Sequence, residues 1–144
     1  MFESGVYDKG KLDIVSMYTN LMEEGFPRDV GAVITFLGII REVGKNEKHV
    51  AKLEMESYKE HANKAMNNIC DEVKAKHGLA MVRVYHLLGE FGIGEPVVFV
   101  VAAGRSRDET FNGIQEVIKR YKTEPALWKK EVYVDGSQEW LSGA

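Results

Sequence analysis

The sequence predicts an α+β fold, with helices packed on a largely antiparallel sheet. Two observations carry that expectation. Three segments with apolar residues at helical spacing, near residues 11–24, 59–76 and 106–121, alternate with pairs of short apolar runs, giving the order α-β-β-α-β-β-α-β. The 144 residues, 44% hydrophobic and 28% charged, are also enough to bury a core without disulfides or metal. One domain spanning residues 1–144 is therefore expected.

Each element has its own signal. In residues 11–24, Ile14, Met17, Tyr18, Leu21 and Met22 fall on one helical face, and Gly25 stands where a left-handed cap stops a helix. GAVITFLGII, residues 31–40, is a continuous apolar run rich in β-branched side chains, the pattern of a strand buried on both faces. REVGKNEKH is polar and contains Gly44 and Asn46, which predicts an exposed connection. Ala51, Leu53, Met55 and Ser57 then alternate with Lys52, Glu54 and Glu56, as in a half-buried strand.

In residues 59–76, Ala62, Ala65, Met66, Ile69 and Val73 make one face, and Gly78 ends the helix. MVRVYHL and PVVFVVAAG read as two strands around the turn LGEFGIGE. Ser106-Arg107-Asp108-Glu109 is a capping-box pattern opening the third helix, whose expected buried stripe is Phe111, Ile114, Ile118 and Tyr121. Pro125 marks its end, and KEVYVDG suggests a short last strand.

Charge and composition exclude several function classes. Nineteen basic and 22 acidic side chains leave a net charge of −3, which argues against wholesale binding to nucleic acid or acidic membranes. The longest apolar stretch, residues 32–40, is far shorter than the ~20 residues of a membrane span. The beginning of the chain lacks the basic and apolar regions of a signal peptide, so a cytoplasmic location is expected. The single cysteine, Cys70, permits no internal disulfide and is expected to pack in the core. His49, His61, His77 and His86 lack metal-ligand spacing, and His86, on a strand, reads as a core or sheet-face imidazole.

Three places carry candidate chemistry. Between residues 119 and 130 lie five bases (Lys119, Arg120, Lys122, Lys129, Lys130) and one acid, Glu124. A solvated helix face explains any one of these lysines. An inward-packed Trp128 would instead anchor the segment and hold Lys122 and Lys129 together, and partial desolvation would make an amine useful in proton transfer or nucleophilic attack. Ser106 and Arg107 open a helix, where free N–H groups and the dipole favour an anion, although a cap alone needs no ligand. Arg41 ends a strand at the head of a loop, either as a positioned cation or as the point where the strand meets water.

Five segments in register resemble the large, catalytic subunit of molybdopterin synthase over about residues 11–140. They are Gly31-Ala-Val-x-x-Phe-x-Gly-x-x-Arg41, Leu53-x-x-Glu56-x-Tyr58, His86-x-x-Gly89-Glu90-x-x-x-Gly94-Glu95, Arg107-x-x-x-Phe111 and KTEPALWKKE at residues 122–131. The resemblance implies a fold of the α/β-hammerhead type. It implies conversion of cyclic pyranopterin monophosphate (precursor Z) to molybdopterin, with sulfur delivered by the thiocarboxylated Gly-Gly terminus of a small ubiquitin-like subunit. It further implies a homodimer within a heterotetramer, with each pocket drawing on both large protomers, and no resident cofactor or metal.

Carried over by residue, Lys122 and Lys129 match the active-site lysines. Arg41 and Arg107 match arginines of the anionic pterin site. Lys130 and Glu131 adjoin the second lysine, and Ile39 and Ile40 would line the pocket by backbone. Ser106 stands where the family often has histidine, and the tail after Trp140 lacks the arginine of some members. A different class of reading is a non-catalytic dimer that captures an extended tail or an anion. An RNA-binding domain would need exposed aromatics on a basic sheet face, against the net negative charge.

Overall fold

The computed structural model describes residues 2–44 and 46–144. Its elements are β1 (Gly5–Asp8), α1 (Ile14–Glu24), β2 (Ala32–Ile39), β3 (Val50–Ser57), α2 (Lys59–His77), β4 (Met81–Phe91), β5 (Pro96–Gly104), α3 (Arg107–Tyr121), β6 (Leu127–Tyr133) and β7 (Gln138–Ser142). The predicted order is present, flanked by β1 and β7, short strands that the hydrophobic pattern did not reveal. The strands form one seven-stranded sheet in the order β2-β5-β4-β3-β6-β7, with β1 paired in parallel to β4. The other pairings are antiparallel.

β4 joins the two halves of this sheet. Its residues 81–86 pair with β5, whereas Gly89, Glu90 and Phe91 pair with β3. Gly89, at φ 126°, sits at the changeover, where a backbone conformation that other residues rarely adopt lets the strand bend.

Neighbouring residues on a strand point to opposite faces, and the aromatic contacts mark both layers. Tyr85 and Phe99 stack at 6.3 Å on one face, where Tyr18 of α1 lies 4.8 Å from Phe99. His86 and its cross-strand neighbour Val98 face the other way, toward Tyr121 of α3. There α2 and α3 pack on each other and on the strands. The core centres on Tyr85, Phe91, Phe99, Met17, Leu21 and Met66, all fully buried. Cys70 is buried among them, as expected.

Two sequence expectations need correction. The apolar run of β2 is not buried on both faces: α3 packs against the strand, but the alternate residues on one face stay open. Val33, Leu37 and Ile39 are 37%, 43% and 56% exposed. The stripe of α3 is also rotated: Thr110, Gly113, Ile114, Val117 and Tyr121 are buried, while Phe111 is exposed. Gly113 sets the rotation by close packing, since a Cβ there would lie 2.4 Å from Leu79 Cδ1.

Candidate active site

A cavity of about 650 Å³ opens at the junction of the two sheet halves. The end of β2 and start of β5 form one wall, β3 and β6 another, and the end of α3 a third, with His86 of β4 also lining it. Arg41, Lys119, Lys122 and Lys129 bring four cations to this space, and Glu131 is the acidic side chain among its lining residues. The cavity is thus locally cationic in a chain whose net charge is −3.

The parity of β6 selects which charges enter. Leu127, Glu131 and Tyr133 are buried, and Lys129 shares their side of the strand. Trp128 points the other way and is 43% exposed, so it does not anchor the segment inward as the sequence suggested. That anchoring falls to the buried Pro125 and Leu127. Lys130 is likewise outside the cavity. Its Nζ lies 2.8 Å from Glu54 Oε2 and 5.4 Å from the Trp140 ring centre, and this pairing is the main reason the Glu54 carboxyl is held below its usual range.

Lys122 caps α3 directly after the buried Tyr121, at the helix end whose unpaired carbonyls favour cations. The turn beyond it is pinned by the tail: Ala144 N–H donates to Lys122 O at 2.9 Å, and Gly143 N–H to Leu127 O at 3.0 Å. Arg41 follows Ile40, whose N–H donates to Glu95 O at 3.1 Å and whose carbonyl accepts from Gly94 N–H at 2.8 Å. Both backbone groups of Ile40 are thereby bonded within the protein, and Ile40 lines the cavity. Ile39 also lines it.

Glu131 is 5% exposed and held from two sides. The Tyr133 hydroxyl donates to Oε1 at 3.0 Å, lies 3.2 Å from Glu139 Oε2, and accepts from the Asn46 amide at 2.9 Å. Burial and the Glu131 carboxylate push the Tyr133 phenol up to about 12, so it remains a donor throughout the neutral range. From above, Gly44 approaches so closely that a Cβ there would lie 2.8 Å from both carboxylate oxygens.

His86 is 2% exposed, and its Nδ1 lies 2.9 Å from Leu87 O. Burial first, then the charges of Lys129 and Lys122, hold its imidazole down to about 4, overcoming the opposite pull of the Leu87 carbonyl. It is therefore neutral at pH 7. Its burial matches the core or sheet-face imidazole that the sequence suggests, and the signal that it lies near the site is its place at the head of the His86-x-x-Gly89-Glu90 segment.

Ser106 and Arg107 lie at the other end of α3, about 22 Å from Lys122 by the rise of a 15-residue helix. Ser106 completes the predicted capping box: its N–H donates to Glu109 Oε1 at 2.8 Å, and its hydroxyl bonds the same carboxylate. Within one chain the cavity gathers Ile39, Ile40, Arg41, Lys122, Lys129 and Glu131, but not Ser106, Arg107 or Lys130.

Known proteins of similar shape and sequence sharpen this picture. The crystal structure of molybdopterin synthase from Staphylococcus aureus superposes with a TM-score of 0.82 at 25% identity, covering 98% of each chain. A complex of subunits 1 and 2 of the molybdopterin-converting factor from Helicobacter pylori shares the fold, with a TM-score of 0.74 at 20% identity over 94% of this chain and 88% of that one. In sequence, the molybdopterin synthase catalytic subunit of Emericella nidulans is 36% identical over 110 residues, 76% of this chain and 56% of that protein. That of Bacillus subtilis is 31% identical over 122 residues, 85% of this chain and 76% of that protein. The chain spans less than two thirds of the Emericella protein and of its Aspergillus niger counterpart, of which it covers 62%. The MoaE protein family model matches residues 8–124, most of the sequence, and the chain belongs to that family.

Proposed function

We propose that this chain is a molybdopterin synthase catalytic subunit. It would transfer sulfur from the C-terminal thiocarboxylate of a small ubiquitin-like partner to cyclic pyranopterin monophosphate (precursor Z). The observation that carries this reading is the convergence of Arg41, Lys119, Lys122 and Lys129 on one cavity in an acidic chain. Substrate phosphate and thiocarboxylate are both anions. Two unit negative charges about 5 Å apart repel by about 3 kcal/mol at an effective dielectric near 20. Fixed cations offset that cost, and each preorganised group is worth about 3–4 kcal/mol where charge develops in the transition state.

Arg41 would hold the phosphate, while Lys122 and Lys129 meet the thiocarboxylate and the developing oxyanion. Lys122, at the pinned end of α3, is the first choice for proton transfer or transient attachment at the carbonyl carbon. A Gly-Gly tail suits a narrow entry because it carries no side chains. Arg107, and the α3 N-terminus with Ser106, would reach a cavity from a second copy of the chain, consistent with a shared site in a symmetric dimer. Residues 1–144 would act as one domain. A cytoplasmic setting belongs to the same proposal; no helix among the described residues is long and apolar enough to cross a membrane.

The test incubates purified protein with the thiocarboxylated partner and precursor Z and assays dithiolene product. Product formed by the wild type and lost in Lys122→Ala is the expected result. Full single-turnover activity of Lys122→Ala overturns the assignment of that lysine. Partner binding without any product favours a non-catalytic capture module instead.

A further inference from the structure

We infer that His86 is a positioning residue of this cavity: its imidazole, fixed through Nδ1, turns the Nε2 lone pair to the space that Lys122 and Lys129 line and accepts from one of their ammonium groups, a role that rests on sulfur transfer taking place there. The geometry behind it is local. A carbonyl only accepts, so the 2.9 Å contact with Leu87 O places the ring proton on Nδ1 and leaves the lone pair on Nε2. The Tyr121 ring packs edge-on at 6.0 Å and fixes the plane.

Among the described residues, the buried side-chain nitrogen or oxygen left without a partner is Arg83 Nε. Nε2 of His86 is therefore either already bonded or open to the cavity that the ring lines. An apolar side chain would fill the same volume equally well, so packing alone does not account for an imidazole here.

The electrostatic setting gives the imidazole its use. Titratable groups facing this space are Arg41 at the end of β2, Lys119, Tyr121 and Lys122 at the end of α3, and Lys129 and Glu131 on β6. The positive charges of Lys129 and Lys122 oppose protonation of the ring. A neutral acceptor among ammonium groups lowers the cost of crowding them and fixes the direction of the one that donates to it. His86 acts on the reaction only through these lysines.

The test uses His86→Phe, which keeps a ring without an acceptor, and His86→Gln, which keeps an acceptor without the ring. Titration of the Lys122 and Lys129 side chains, followed by NMR on the protein alone, should move to lower pH in His86→Phe and return toward wild type in His86→Gln. In single-turnover sulfur transfer, His86→Phe should lose about tenfold in rate with little change in partner KM, and its alkaline limb should move the same way. Unchanged lysine titration in folded His86→Phe overturns the inference. If His86→Phe does not fold, the wild-type ring decides: a nitrogen spectrum showing Nε2 protonated at pH 7 overturns the role, and a bare Nε2 supports it. Failure of wild-type protein to transfer sulfur would sink the proposed function while leaving the lysine titration as a separate result.

Discussion

Replacing Gly44 with alanine would drive a methyl group against the Glu131 carboxylate. The new Cβ would lie 2.8 Å from both oxygens and 3.0 Å from Cδ, about 0.6 Å inside the 3.4 Å at which ordinary contact begins. Neither side yields easily. Glu131 is tied to Tyr133, which is held in turn by Asn46. The opposing connection is closed by Gly44 N–H on Lys48 O at 2.9 Å and Val50 N–H on Glu42 O at 2.6 Å. Overpacking of this kind costs about 1–3 kcal/mol. With an unfolding entropy of roughly 2.1 cal/mol/K per residue, a chain of 144 residues loses about 3–10 °C in Tm. Thermal melts of wild type, Gly44→Ala, Glu131→Ala and the double variant form the assay. Because Glu131→Ala removes the obstructing group, the cost of Gly44→Ala should shrink by at least about 1 kcal/mol in that background. Equal costs in both backgrounds, or an unchanged Tm for Gly44→Ala, would refute the described contact.

Two further outcomes follow from the site. If Arg107 serves the cavity of a second copy, Arg107→Ala and Lys122→Ala, each inactive alone, should complement when refolded together; random pairing leaves one intact site in each mixed dimer and recovers about a quarter of wild-type activity, whereas no recovery would place both residues in the same chain's site. His86 should also make the fold acid-sensitive: its folded value near 4 lies below the 6.5 of the free side chain, so between those pH values the unfolded chain binds a proton that the folded one does not. Stability should therefore fall as pH drops from about 6.5 toward 4, by up to about 3 kcal/mol, and His86→Gln should flatten melts across that window, with an unchanged slope as the contrary result.

Helical periodicity and capping signals located α1, α2 and α3, and alternation located β3, because those patterns depend on a segment's own sequence. What the sequence withheld depended on neighbours. GAVITFLGII has the composition of a strand buried on both faces, yet which layers cover β2 is decided by how distant elements pack. Phe111 was misplaced because the fit of Gly113 against Leu79, not the largest side chain, sets the rotation of α3. The resemblance named Lys122, Lys129, Glu131 and Arg41, which the fold brings to one cavity. It also named Arg107 and Lys130, which lie elsewhere in the same chain. His86 heads one of the resembling segments but has no metal-ligand spacing, and its relation to two lysines more than thirty positions away exists only after β4, α3 and β6 are assembled.

The odd-even alternation of β6 gives the short turn before it an unexpected chemical weight. Deleting one residue between Lys122 and Leu127, with the ladder to β3 retained, would rotate every following side chain to the opposite surface. An indole and the amine at position 130 would then enter the hollow, while the amine at 129 and its neighbouring carboxylate turned to solvent. A change in loop length alone, with no polar side chain altered, would rewrite the chemistry of the hollow.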